Sequence, residues 1–277
     1  MIQSLATAGL WGATDACAGF SARKSTPLLA AMWLHVASLL VLAPLLLAGF
    51  GCENIDSQSI ALGMTAGVVA AIGDVLFGRA LSVSAMTVGI PLSNVLAAAV
   101  PAAVVAFQGE RITAFGAVGI TGALVASVFA VMPSNGRLAW TGAGYAILAG
   151  LCFGAMYGLL SQVATASSLL VVFVMRVAGT VALSLPAYRQ ASTWTVDQIR
   201  LGAFTGLLSG LASVGANVLF VHAMSNGNRL IHSVVAIGLS SPAGMLISHL
   251  RYREKLHRKQ VVTAAVAVLA TVFLAVE

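Results

Sequence analysis

Six ionisable side chains stand inside otherwise apolar stretches of this chain: Asp15, His35, Asp74, Arg79, Arg176 and His222. In hydrocarbon such a group costs roughly 2.5–3.5 kcal/mol on insertion scales, so each needs a partner or a task. A carboxyl group held away from water can take up and release a proton as its surroundings change, which links protonation to occupancy of a site. An arginine stays charged and presents a planar fork that grips a carboxylate or an anionic ligand. Asp15 is the sharpest candidate for proton exchange, with a structural carboxylate paired to a neighbouring helix as the alternative. Arg176 reads either as a ligand-binding cation or as one half of a buried ion pair with Asp15 or Asp74. His35 reads as a proton-exchanging or a hydrogen-bonded interior imidazole. Asp74 and Arg79 are five residues apart and do not stack as i,i+4 partners do, so each must face a different neighbour. Asp74 suits ion coupling or substrate binding, whereas Arg79 lies near a helix end, where a long side chain snorkels. Trp11, Asn94 and Tyr157 supply the rings and the amide that line a pocket for a small organic molecule.

The elements that carry these residues are set by composition. Of 277 residues, 59% are hydrophobic and 8% are charged, against about 25% charged in soluble domains. The mean hydropathy is +0.98. There is too little polar side chain to cover a water-facing surface, which excludes a soluble enzyme, a disordered chain and an ordinary nucleic-acid module. The apolar runs are too long, and too lacking in alternation, for barrel strands. Helices remain, because only they satisfy every backbone group of these runs within hydrocarbon. The net charge of +6 sits between apolar runs, where basic residues orient a membrane protein rather than bind nucleic acid. Cys17, Cys52 and Cys152 are an odd, scattered set with no disulfide or zinc spacing. No metal or other cofactor is expected. The start of the chain lacks the basic opening of a cleaved signal, so the first helix is expected to stay.

Hydropathy and turn signals predict ten spans: 2–21, 27–50, 59–81, 85–107, 113–132, 142–163, 168–188, 201–224, 230–250 and 260–276. Pro133-Ser134-Asn135-Gly136 is the strongest turn and falls near the midpoint. The halves resemble each other. Asp74-Val75-Leu76-Phe77 matches Asn217-Val218-Leu219-Phe220, Arg79 matches His222, and Trp11-Gly12-Ala13 matches Phe153-Gly154-Ala155. Gly109-Glu110-Arg111-Ile112 matches Arg253-Glu254-Lys255-Leu256, while His35 and Arg176 occupy equivalent places. The two glutamates are expected to favour the dipoles of the helices they begin. Asn217 and His222 thereby join the candidate cavity residues. We read two five-helix units, 1–134 and 135–277, forming one membrane domain. An odd number of helices per unit inverts the second copy. The charges agree: the loop after the first span carries Arg23 and Lys24 and its counterpart carries no basic residue, whereas the tenth span is preceded by far more basic residues than the fifth. Gly150, Gly154 and Gly158, and Gly202, Gly206 and Gly210, form small-residue stripes suited to close helix contact.

On these residues, their order and their repetition, the chain resembles the drug/metabolite transporter superfamily, specifically its EamA-type members. The resemblance covers nearly the whole chain. It implies an all-α membrane protein of ten transmembrane helices in two inverted repeats, and a secondary transporter of small metabolites such as amino acids, often an exporter. Asp15 is similar in place to the first-helix acid of the small multidrug-resistance relatives, which implies exchange of substrate for protons. Pro242 stands at about the family's usual distance before Glu254, but Ala98 occupies the matching place in the first half, flanked by Pro91 and Pro101. Family members keep both termini in the cytoplasm, whereas the charge count puts the basic loops inside and the termini out.

The expected protein is thus a multi-pass transporter of the cell membrane. Its partners are the lipid bilayer, a small-molecule substrate and a coupling proton, with monomer and homodimer both open. An uncoupled facilitator or uptake permease is the alternative, followed by a membrane-embedded enzyme or a transport-inert subunit. No enzyme is expected, because no HExxH or GxSxG spacing is present. Cysteines introduced at Arg23 and Arg111 are predicted to react with membrane-impermeant reagents from opposite compartments. Labelling of both from one side contradicts this topology.

Overall fold

The computed structural model describes residues 2–50, 56–107, 140–163, 168–225 and 229–253, together with a few isolated positions. Eight α-helices lie among them: α1 (Ile2–Lys24), α2 (Pro27–Leu47), α3 (Ser57–Val83), α4 (Met86–Phe107), α5 (Trp140–Leu160), α6 (Ser168–Gln190), α7 (Val196–Ser225) and α8 (Arg229–Tyr252). Five of these, α2, α3, α5, α6 and α7, carry stretches long and apolar enough to cross a bilayer. The protein is therefore an α-helical, multi-pass membrane protein. The expected fifth and tenth spans, Glu110, Arg111 and Glu254 lie outside the continuously described segments.

Helix limits follow local chemistry. Thr26 caps α2 by accepting from the Leu29 amide at 3.1 Å, and Pro27 occupies the first turn, where a missing N–H costs nothing. Asp56 caps α3, accepting from the Ser59 amide at 2.8 Å and from the Ser59 hydroxyl. Those bonds hold its carboxyl below the ordinary aspartate range, the hydroxyl contributing most. α2 stops at Leu47, short of the predicted limit, because Gly49 adopts φ of 87° and turns the chain left-handed. α1 continues through Arg23 and Lys24, whose charges favour the carbonyl end of a helix. α7 begins at Val196, five residues ahead of the predicted 201. Thr195 caps it, accepting from the Gln198 amide while the Gln198 side chain accepts from the Thr195 amide.

Packing runs mainly between the first four helices and the last four. α1 lies against α7 and α8, α5 against α3 and α4, α2 against α6 and α7, α3 against α6, and α4 against α8. Small residues permit these contacts. A methyl at Gly206 would stand 2.5 Å from the Trp33 Cβ on α2, and one at Gly150 would stand 2.4 Å from the Ser93 carbonyl oxygen on α4. The buried centre contains Trp11, Phe77, Tyr157, Met175 and Phe220. Outward faces carry exposed Leu40, Ile72, Leu148, Val181, Phe204 and Leu246, one on each of six helices. Lipid tails are the solvent such faces require.

The helix ends define two faces. The Arg23 Nε donates to the Leu81 carbonyl at 2.7 Å, joining the end of α1 to the end of α3. Arg251 and Arg253 meet Arg23 and Lys24 around the same hollow, and Arg79 and Gln190 lie by the start of α2. This is the basic face. At the opposite face Ser4 bonds His232 at 2.7 Å, tying the starts of α1 and α8.

A methyl added at Gly67 would stand 2.1 Å from the Met175 carbonyl oxygen on α6, whereas one at Gly144 meets nothing within 4 Å. Gly67→Ala is predicted to lose about 1–3 kcal/mol of stability through overpacking. It should therefore melt several degrees below Gly144→Ala in detergent. Equal melting of the two variants contradicts the α3–α6 contact.

Candidate functional site

Buried Thr14, Asn94, Arg176, Ser213, Asn217 and Ser240 converge, with Asp15 and Asp74, on one cavity of about 40 Å³ in the middle of the bundle. All eight described helices contribute to its wall. α1 supplies Trp11, Thr14 and Asp15, α3 supplies Asp74, α4 Asn94, α5 Tyr157, α6 Arg176, α7 Ser213 and Asn217, and α8 Ser240. That volume holds a few water molecules, far below the roughly 300–1,000 Å³ of a drug-sized site. The helices leave little space at the centre.

Three hydrogen-bonded groups make the wall. Asn94 donates its amide N–H groups to Asp15 Oδ2 at 3.3 Å and to Ser240 Oγ at 3.0 Å, so α1, α4 and α8 meet through one side chain. His35 Nε2 lies 3.1 Å from Asp74 Oδ2, joining α2 to α3. Arg176 donates to the Ser213 hydroxyl, and Asn217 Nδ2 donates to the Ser213 carbonyl at 2.7 Å and to its hydroxyl at 3.2 Å. His35 is fully buried and Arg176 is 2% exposed, whereas Asp15 and Asp74 keep partial access. Among the described residues the Arg176 Nε and the Asn217 Oδ1, like the His35 Nδ1, are buried with no hydrogen-bond partner. An uncommitted N–H on a buried guanidinium is expensive and calls for an acceptor.

Aromatic rings close one side. Trp11, Tyr157 and Phe220 form a triangle with centroid separations of 4.7, 5.1 and 5.3 Å. They pack by tilted ring contacts that fill space, and Trp11 and Tyr157 line the cavity wall.

Seven of the nine sequence candidates line this cavity: Trp11, Asp15, Asp74, Asn94, Tyr157, Arg176 and Asn217. His35 stands behind Asp74. His222 does not join them. It is exposed near the end of α7, and five residues of helix carry it about 140° around from Asn217. Arg176 meets Ser213 where an ion pair with Asp15 or Asp74 was one expectation. Arg79 is exposed near the end of α3, 5.9 Å from the Tyr145 ring centroid. Thr14, Ser213 and Ser240 join the wall without being singled out by sequence. Ser213 precedes Asn217 by one helical turn, and that spacing was its available signal. Ser240 stands two residues before Pro242, whose missing N–H breaks the ladder of α8 beside the site.

No protein-family model and no curated protein sequence matches this chain. A solved crystal structure of another protein is similar to it with a TM-score of 0.69 and 12% sequence identity, covering 99% of this chain and 96% of that one. Such a likeness establishes a shared fold.

A double-mutant cycle of His35→Ala and Asp74→Asn, read by thermal or denaturant unfolding, is predicted to give a coupling of roughly 0.5–3 kcal/mol. Additive effects within error contradict a direct pair.

Proposed function

We propose that the chain is a secondary active transporter that exports small organic metabolites, such as amino acids or related compounds, by alternating access coupled to protons. In this reading it is an EamA-type member of the drug/metabolite transporter superfamily, with two inverted five-helix units enclosing the central cavity. The basic face is cytoplasmic by the positive-inside rule, in the cell membrane.

The observation that carries the reading is the buried Arg176 with its uncommitted Nε, on the wall of a cavity that also holds Asp15, Asp74 and the free Asn217 oxygen. Such a wall offers a donor of fixed charge and two proton acceptors at mid-bundle, where transporter sites lie. The packing supports two related halves. Exchanging α1 to α4 for α5 to α8 converts the α1–α8 contact into α4–α5, α1–α7 into α3–α5, and α2–α7 into α3–α6, each of which is present. Gly12 and Gly154, matched in sequence, stand at the two exchange-related contacts α1–α8 and α4–α5: Gly12 meets Ala243 and Gly154 meets Val100. Residues of both halves line the cavity, and Asn94 bonds Ser240 across them, so the cavity belongs to both.

Admission of a metabolite requires the halves to part at one face, because the closed cavity is too small to hold one. Proton release from Asp15 and ligand binding at Arg176 then alternate. The facilitator reading has one observation in its favour: Asp15 and Asp74 already have Asn94 and His35 as partners.

The test is a thermal-shift screen of amino acids, sugars, nucleosides and organic cations, followed by flux in proteoliposomes. Saturation at a hundredfold above Kd stabilises by about 2.7 kcal/mol. A hit is predicted to raise the melting point of the wild type and to lose that effect in Asp15→Asn and Arg176→Ala. Asp15→Asn should also flatten the pH dependence of flux. Hits that act equally on both variants contradict the site, and unchanged pH dependence in Asp15→Asn favours the facilitator. No stabilising hit of any class favours the inert subunit.

A further inference from the structure

We propose that the basic face carries a binding site for the phosphate of an anionic membrane phospholipid, in the hollow between the ends of α1 and α8 and the start of α7. This site is remote from the central cavity, and the inference is independent of the transport reading.

The hollow has a volume of about 420 Å³, and Arg23, Lys24, Arg251 and Arg253 all line it. Among the described residues no carboxylate lines it. Four like charges around one hollow repel one another, and an anion between them relieves that repulsion. Arg23 is held in place, since its guanidinium donates to the Leu81 and Ser84 carbonyls, each at 2.7 Å, at the end of α3. Lys24, Arg251 and Arg253 are exposed. The wall between them is firm: Phe20 stacks on Tyr252 with centroids 4.6 Å apart and planes within 13°, locking the end of α8 to α1.

The floor distinguishes a lipid from a soluble anion. Phe204 and Leu208 form part of it, and both are turned outward, 63% and 47% exposed. Leu211, 51% exposed, continues the strip along α7 at helical spacing toward the membrane centre. A soluble phosphate has no use for that strip. A phospholipid uses both, with its phosphate among cations at the helix ends and an acyl chain along Phe204, Leu208 and Leu211. The hollow lies at the start of α7, a helix long and apolar enough to cross, so its cations stand at headgroup depth, where anionic lipids are bound.

The experiment uses the purified chain in nanodiscs of phosphatidylcholine, alone or mixed with phosphatidylglycerol, read by melting and by lipid retention in native mass spectrometry. The expected result is selective retention of phosphatidylglycerol and a raised melting point. In Lys24→Ala/Arg251→Ala/Arg253→Ala, affinity should fall roughly a hundredfold, about fivefold for each cation removed. Arg23 is kept because it ties α1 to α3. Arg189→Ala, on the same face but outside the hollow, should retain the lipid as the wild type does. Equal loss in Arg189→Ala overturns the proposal in favour of general surface charge. Full retention by the triple variant overturns it too, as does stabilisation by soluble glycerol phosphate as great as that by the lipid. Should the triple variant fail to fold, the wild type decides alone: equal retention of the two lipids overturns the site.

Discussion

Burying charge is the constraint on which the centre of this bundle depends. A guanidinium at 2% exposure and a fully buried imidazole sit among helices chosen for their apolar surface, and each would be costly without an answering group. The protein answers with a short polar chain on every side. Asn94 ties Asp15 to Ser240, His35 supports Asp74, and Ser213 serves both Arg176 and Asn217. Among the described residues the accounting is incomplete at the His35 Nδ1 and at two atoms of the cavity wall, the Arg176 Nε and the Asn217 Oδ1. Those two atoms give the cavity a reason to accept something polar, and they make it more than a packing defect.

Geometry then explains why the groups are brought together from such distant parts of the sequence. The heaviest packing joins early helices to late ones, so the cavity wall draws on both ends of the chain at once. Glycines at the crossings let backbones approach where lipid supplies no hydrophobic drive between helices. The result is tight at the centre and polar within. Under the proposed cycle that combination has a purpose, since a closed, small cavity with partly accessible carboxyls favours release of its contents when either face opens.

Much of this was legible in the sequence because the bilayer leaves few options. Length and hydropathy locate the eight described helices, and the departures have local causes: Gly49 ends α2 early and the Thr195 cap starts α7 early. The charged candidates were legible for the same reason, since an acid such as Asp74 within an apolar run is conspicuous. What one sequence conceals is rotation and partnership. The match to Arg79 groups His222 with the cavity, yet its helical phase turns it outward. Ser213 and Ser240 gave little signal, because serine is common in membrane helices and only the fold shows which hydroxyl meets Arg176 or Asn94. The Arg176–Ser213 bond, in place of an ion pair, likewise follows from three-dimensional placement alone.

Reciprocal opening of the two faces around the central cavity is the core of the proposed cycle. Spin labels at Ser82 and Gln190 report the basic face, and labels at Leu47 and Gln162 the other, each pair joining an early helix to a late segment. Pulsed dipolar spectroscopy of the two pairs, at acid and alkaline pH, measures the claim directly. The account predicts that one distance lengthens as the other shortens when Asp15 changes its protonation, and that Asp15→Asn holds one distribution at both pH values. Distances that stay fixed, or two faces that widen together, would contradict it.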